Sequence, residues 1–211
     1  MSETAFIQEP EHVALREYDL LREDCGLLEL QDTGVLLLRG EDRKGWLQGQ
    51  VTSDLRPLQV GLSSGYCFCA ATGQLIASGE LYSLEQRLVV LAPLETMPAL
   101  LLRCEATIIM EDVQYSDSTS EFRRLSVQGP TATRRLGNLF ELPKLDAGTV
   151  TLADADLMVL RSNRTGFGGW DILLPNDAHD ALAAFQGEFE RVGPAAFDVA
   201  RLEAGVPVYG R

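Results

Sequence analysis

Along the chain, apolar residues alternate with polar ones in short runs, and Gly, Pro, Asp and Asn punctuate those runs. The segment "GLLELQDTGVLLLRG" predicts two strands about a turn at Asp32–Gly34, the second rich in leucine. "EDRKGWLQGQV" predicts a short helix with Trp46 and Leu47 facing inward. Strands are predicted at "GYCFCAAT", "QLIASGELYSL" and "RLVVLAP", with a turn at Thr72–Gly73 between the first two. "LETMPALLLRC" is helical in pattern, with Pro98 marking its start. "TIIMEDVQYSD" predicts a strand that breaks into the polar stretch "SDSTSE", the candidate linker. "RRLSVQGP" returns to strand, and Pro130 opens a predicted helix, "PTATRRLGNLF". "ADLMVLRSN" and "GWDILLP" predict a hairpin around Arg164–Gly169. Two amphipathic helices follow. "NDAHDALAAFQGEFERV" is capped near Asn176, and "GPAAFDVARLEAG" is opened by Pro194 and closed by Gly205, with an extended run through Val208 and Tyr209 after it. Strands and helices mingle without regular βαβ alternation or an internal sequence repeat, which predicts an α+β fold.

Composition narrows the function classes. The 211 residues suit one large domain or two small ones, with 45% hydrophobic and 23% charged residues. Eighteen basic residues against 31 acidic give a net charge of −13, a field that repels a phosphate backbone and argues against nucleic-acid binding. The N-terminal segment is acidic and lacks a signal-type apolar core, and no apolar run approaches a membrane span. A cytoplasmic, non-membrane protein is the expectation. The four cysteines (Cys25, Cys67, Cys69 and Cys104) fit reduced thiols packed in a core. Cys67 and Cys69 share one strand face, but no second pair at zinc spacing accompanies them, so no metal site is expected.

Other candidate chemistry is weak. Gly166, Gly168 and Gly169 precede a strand rather than a helix, so they make a hairpin rather than a dinucleotide loop. His12 and His179 read as surface residues, and neither Ser126 nor Ser162 has an elbow or a base.

Four segments in order, "GWLQGQVTSDLRPLQVG", "LSVQGPTATRRL", "RSNRTGFGGWDILLP" and "AAFDVARLEAGVPVYGR", resemble successive motifs of the glycine-cleavage T-protein (aminomethyltransferase) superfamily, which includes the folate-binding YgfZ-type proteins. The resemblance runs from about Leu27 to Arg211. It implies an α+β folate-binding fold. Residues 1–55 plus 119–211 would form a discontinuous first lobe, interrupted by a ferredoxin-like lobe at 56–118. It also implies that the family's C-terminal barrel is absent from this chain, as is the K-G-C-Y-x-G-Q-E signature that follows the matching helix in YgfZ-type members.

Two departures from the family pattern bear on chemistry. Where aminomethyltransferases carry an acidic pair beside the folate N5, this chain has Ala77 and Ser78, with Glu80 close by. An alanine can neither relay a proton nor stabilise the developing cation of an aminomethyl adduct. No catalytic residue is therefore assigned. In "RTGFGGWDI" the family's pteridine-contacting glutamate is deleted, leaving Asp171 or a backbone carbonyl as a substitute acceptor. By resemblance, the tetrahydrofolate lining would be Phe167 and Trp170 as apolar walls, Ser78 near the reactive edge and Arg201 at the carboxylate tail. The plain alternatives are a core tryptophan and an ion pair of Arg201 with Asp198.

The leading expectation is a folate-binding YgfZ-like protein without transferase activity, assisting iron–sulfur proteins. The alternatives are a folate-dependent aminomethyltransferase or demethylase, and an interaction module that keeps the fold and binds no ligand.

Overall fold

The computed structural model describes residues 10–70 and 72–207, with side chains from Ala14 onward. The run through Val208 and Tyr209, and the His12 side chain, lie outside the described residues. Ten strands and six helices are described in chain order: α1 (Pro10–Glu23), β1 (Gly26–Glu29), β2 (Thr33–Arg39), α2 (Arg43–Gln48), β3 (Ser63–Cys69), β4 (Leu75–Leu84), β5 (Arg87–Pro93), α3 (Met97–Thr107), β6 (Gln114–Asp117), β7 (Phe122–Gln128), α4 (Ala132–Leu136), β8 (Ala147–Leu152), β9 (Ala155–Arg161), β10 (Gly169–Pro175), α5 (His179–Glu188) and α6 (Pro194–Glu203). The fold is α+β, as the interleaved patterns predict. No described helix is long and apolar enough to cross a membrane.

The strands form two antiparallel sheets, in the orders β1-β7-β10-β9-β8 and β3-β4-β5-β2-β6. Period-two alternation explains how they stack. In β2, Leu36 and Leu38 point toward α2 and α3, while Val35 and Leu37 point toward the other sheet. In β10, Trp170, Ile172 and Leu174 meet α4 and α5, whereas Leu173 meets the first group's inward face. Four layers result: helices, sheet, sheet, helices. At one edge, α1 and α6 close on each other over Leu21, Val192, Ala196, Phe197 and Ala200.

The β2–β6 sheet lies within the sequence between β1 and β7 and draws on residues 33–117. That span is wider than 56–118, because β2 pairs with β5 and β6 rather than with β1. The polar "SDSTSE" segment is the crossover between sheets. It is tied down, with Ser118 1% exposed and its N–H donating to the Val35 carbonyl at 2.9 Å.

Several elements are shorter than their sequence patterns. The strand predicted over "TIIMEDVQYSD" is confined to Gln114–Asp117, because the Glu111 carboxylate accepts the N–H groups of Ile109 and Met110 and holds a turn there. Asn176 does not cap α5; its amide donates instead to the Ser120 carbonyl.

No repeat is visible in the letters, yet the topology repeats. Strand, short helix, three-strand meander and helix occur as β2-α2-β3-β4-β5-α3 and again as β7-α4-β8-β9-β10-α5. In each sheet the first strand sits between the meander and an edge strand, β6 or β1. The strand-to-helix junctions use the same device. Gly40 (φ +96°) and Gly129 (φ +133°) each lie under the residue that leads into the edge strand. An added Cβ would stand 2.0 Å from the Asp112 carbonyl oxygen at Gly40, and 2.3 Å from the Asp24 carbonyl oxygen at Gly129. Two residues on from each glycine, the N–H groups of Asp42 and Thr131 donate to those same carbonyls at 3.2 Å. Gly40→Ala and Gly129→Ala are each expected to destabilise by roughly 1–3 kcal/mol or more, read by urea denaturation. A neutral result at both would show that the junctions rearrange freely.

Candidate functional site

Between the two sheets, one end of the interior is apolar and the other polar. Val35, Leu37, Val89 and Leu91 face Ala147, Met158, Leu160 and Leu173 at the apolar end. The same alternation carries Ser126, Gln128 and Asp171 to the inner face of one sheet. It carries Cys67, Ser78, Glu80 and Tyr82 to the inner face of the other.

Gln128 organises the first group. Its amide donates to Ser126 Oγ at 3.0 Å and to the Ser162 carbonyl at 3.1 Å, and its oxygen accepts the Arg164 N–H at 2.9 Å. Gly169 lies directly opposite in register, and a Cβ there would come within 2.5 Å of the Gln128 carboxamide. The glycine therefore makes room for the amide that fixes the Arg164 loop.

Arg164 in turn grips Asp171, with Nε 2.9 and 3.1 Å from the two carboxylate oxygens and Nη2 2.7 Å from Oδ2. The aspartate side chain is 2% exposed and the arginine 28%. Burial opposes the arginine's charge, but the Asp171 carboxylate outweighs it and pushes the guanidinium pKa up, so Arg164 stays protonated. The Tyr82 hydroxyl sits between the Glu80 carboxylate and the Arg161 carbonyl, 2.9 Å from the latter. Burial, reinforced by the charges of Glu80 and Asp171, raises the Tyr82 pKa well above the usual phenol range, so it is a neutral hydroxyl.

The structure does not bring the four sequence-derived lining residues together. Ser78 is half-buried on the inner face of β4, opposite Cys67. Ala77, its neighbour, is fully buried on the helix side, so of the two only Ser78 looks into the space between the sheets. Trp170 is on the wrong face for a ligand wall. It is 1% exposed in the helix-side core, and its indole N–H donates to Thr133 Oγ1 at 3.0 Å. Phe167 packs against the α1–α6 cluster. Arg201 is 7% exposed and engaged: Nε and Nη2 donate to Asp198 Oδ1 at 2.9 and 2.7 Å, and Nη1 donates to the Val206 carbonyl at 2.6 Å. A folate carboxylate would have to compete with the Asp198 charge for that guanidinium. By the chemistry of its groups, the interlobe face fits a heterocycle with donor and acceptor edges better than the Arg201 neighbourhood fits an anionic tail.

Gln128 and Arg164 are not among the sequence-derived site residues, although the strands around them carry a signal. In "LSVQGP" and "GWDILLP", Ser126, Gln128 and Asp171 interrupt the alternation at positions where a two-sided buried strand calls for apolar side chains.

Among the described residues there is no group of three or more His, Cys, Asp or Glu able to hold a metal. His179 is exposed, as expected. All four cysteines are free, but only Cys25 and Cys104 are buried; Cys67 and Cys69 are half-buried on the less covered end of the hairpin. Burial pushes the Cys104 thiol up to about 11 and raises Cys25 as well. At pH 8 a water-soluble disulfide reagent should modify Cys67 and Cys69 rapidly, and Cys25 and Cys104 only after denaturation. Because the folded Cys104 keeps its proton longer than the unfolded thiol, its contribution to stability is intact below about pH 9. It is lost as pH rises through about 11. Equal labelling rates for all four thiols in the native protein would contradict these placements.

The fold and the ordered motifs now have a family. The chain belongs to the GCVT N-terminal domain family, whose model matches residues 4–211. It is 27% identical over 206 residues to an aminomethyltransferase of Listeria monocytogenes serotype 4a, covering 92% of this chain and 56% of that protein. An aminomethyltransferase of Chlorobaculum parvum is likewise 27% identical, over 216 residues, with 93% and 58% covered. This chain thus spans somewhat more than half the length of the curated relatives it matches. Among solved structures it is similar to the glycine cleavage system aminomethyltransferase T from Bartonella henselae. The TM-score is 0.77 at 23% identity, covering 92% of this chain and 55% of that one. A chain of the heterotetrameric sarcosine oxidase from Corynebacterium sp. U-96 also shares the fold, with a TM-score of 0.53 at 20% identity, covering 94% of this chain and 96% of that one.

Proposed function

We propose that this chain is a folate-binding domain of the aminomethyltransferase type that does not itself transfer the aminomethyl group. One observation carries this reading. Of the two positions where transferases hold an acidic pair, Ala77 is packed against helices and Ser78 alone faces the lobe interface. A serine hydroxyl cannot hold the charge that a carboxylate holds beside a developing iminium, and losing a positioned general acid or base costs about 10²–10⁴-fold in rate. The names of the curated relatives favour a true transferase, whereas the chemistry of Ala77 and Ser78 favours a non-transferring role, for which YgfZ-type assistance to iron–sulfur proteins is the proposal that the family resemblance suggests. Four unpaired cysteines suit a reducing cytoplasm.

A second reading is an assembly module without a ligand. It is favoured by the sarcosine oxidase likeness, in which a domain of this extent accounts for 96% of one chain in a heterotetrameric enzyme.

The test is aminomethyl transfer to tetrahydrofolate, run on the protein and on Ser78→Asp. The expected result is no turnover above background for the parent and a measurable gain in the variant. Transfer by the parent at a rate that Glu80→Gln abolishes would overturn the proposal and identify a relocated acid.

A further inference from the structure

We infer that Glu80 and Arg164 form an acceptor–donor pair that takes the cyclic-amide edge of a reduced pterin. The inference rests on the folate-binding reading above and assigns this chain's own residues to it.

Hydrogen-bonding capacity on the interlobe face decides the assignment. Both ends of the Gln128 amide are occupied, and Ser126 is fully buried beneath it. Asp171, the substitute acceptor suggested by the sequence, has both oxygens on Arg164 and almost no exposure, so it cannot serve a ligand. Tyr82 has one proton between two acceptors.

Two charged groups keep spare capacity. Glu80 is exposed and gives one oxygen, Oε2, to the Tyr82 hydroxyl; no described residue bonds its Oε1. Arg164 spends Nε and Nη2 on Asp171, and no described residue accepts from its Nη1. The two share one field, since the Glu80 charge helps to hold the guanidinium protonated. Tyr82 holds Glu80 from one side, and Gln128 and Asp171 hold Arg164 from the other.

A cyclic amide presents an N–H beside a carbonyl. The Glu80 Oε1 accepts the ring N–H, and the Arg164 Nη1 donates to the ring carbonyl. Both are charge-assisted bonds, which are stronger than neutral ones. Covering an exposed carboxylate with a flat ring also removes water from it, so that removing its acceptor leaves an unpaired N–H in a dry contact.

The experiment is isothermal titration of the parent, Glu80→Gln and Tyr82→Phe with tetrahydrofolate, and with tetrahydropterin, which lacks the glutamate tail. Glu80→Gln should weaken both ligands by at least about tenfold, because its amide sets a donor against the ring N–H. Tyr82→Phe, which frees Glu80 to rotate, should weaken both by a smaller factor. The melting temperature of Glu80→Gln should match the parent, since the side chain is exposed. If the parent binds and Glu80→Gln binds within twofold of it, this inference is overturned while the folate reading stands. A loss confined to tetrahydrofolate would place Glu80 at the tail and overturn the ring contact. If the parent binds neither ligand, the folate reading fails and takes this inference with it.

Discussion

Trp170→Ala will lower stability by about 3–5 kcal/mol, the cost of emptying a large aromatic site in a closed core. For a chain of this size that is a fall of roughly 2–4 °C in melting temperature per kcal/mol. The physical case is direct. Trp170 is 1% exposed among Leu125, Val127 and Ile172 on the helix side of its sheet. Its indole N–H is satisfied by Thr133, and the Arg161 guanidinium lies 4.9 Å above its ring. Truncation removes the ring and leaves Thr133 without its donor. A residue that lined a ligand site would behave the other way, with binding lost and stability kept. Denaturant unfolding of the variant separates the two, and an unchanged midpoint would return Trp170 to the ligand wall.

Asp171→Ala should be as damaging, at about 3–5 kcal/mol, because it strands a guanidinium that is mostly buried. The magnitude follows from what remains rather than from what is lost: Gln128 holds the Arg164 backbone N–H and so keeps the loop in place, and the guanidinium, its side chain 28% exposed, is left there without its carboxylate. Replacing both partners with apolar side chains of similar volume, as in Arg164→Met with Asp171→Leu, should recover most of the loss. If the single variant unfolds at the parent's midpoint, the pair does not tie the Arg164 loop to β10 as described above. If the double variant is as poor as the single, the loss lies in packing rather than in unpaired charge.

The sequence carried the strand faces and missed what joined them. Leu36 and Leu38 against Val35 and Leu37, or Trp170 and Ile172 against Asp171 and Leu173, follow from period two alone. That β2 belongs with β6 rather than β1 did not follow, because pairing between distant strands leaves no local trace. The same holds for the repeated topology. Gly40 and Gly129 are equivalent by position and φ, while the residues around them, "RGEDRKGWL" and "QGPTATRRL", share little. Motif resemblance drew attention to "RTGFGGWDI". It selected the aromatics Phe167 and Trp170, whereas the inner face carries Asp171, on the opposite side of the strand from Trp170. Arg201 shows the limit of a motif. The letters fix its place on α6, and only the structure shows Asp198 and the Val206 carbonyl already on its guanidinium.

Tetrahydrofolate binding to the protein, followed by calorimetric titration together with thermal unfolding, tests the central claim most directly. Saturable one-site binding is expected, with stabilisation of about 2.7 kcal/mol once free ligand reaches a hundredfold excess over Kd. No heat of binding and an unchanged unfolding curve at millimolar tetrahydrofolate would contradict it.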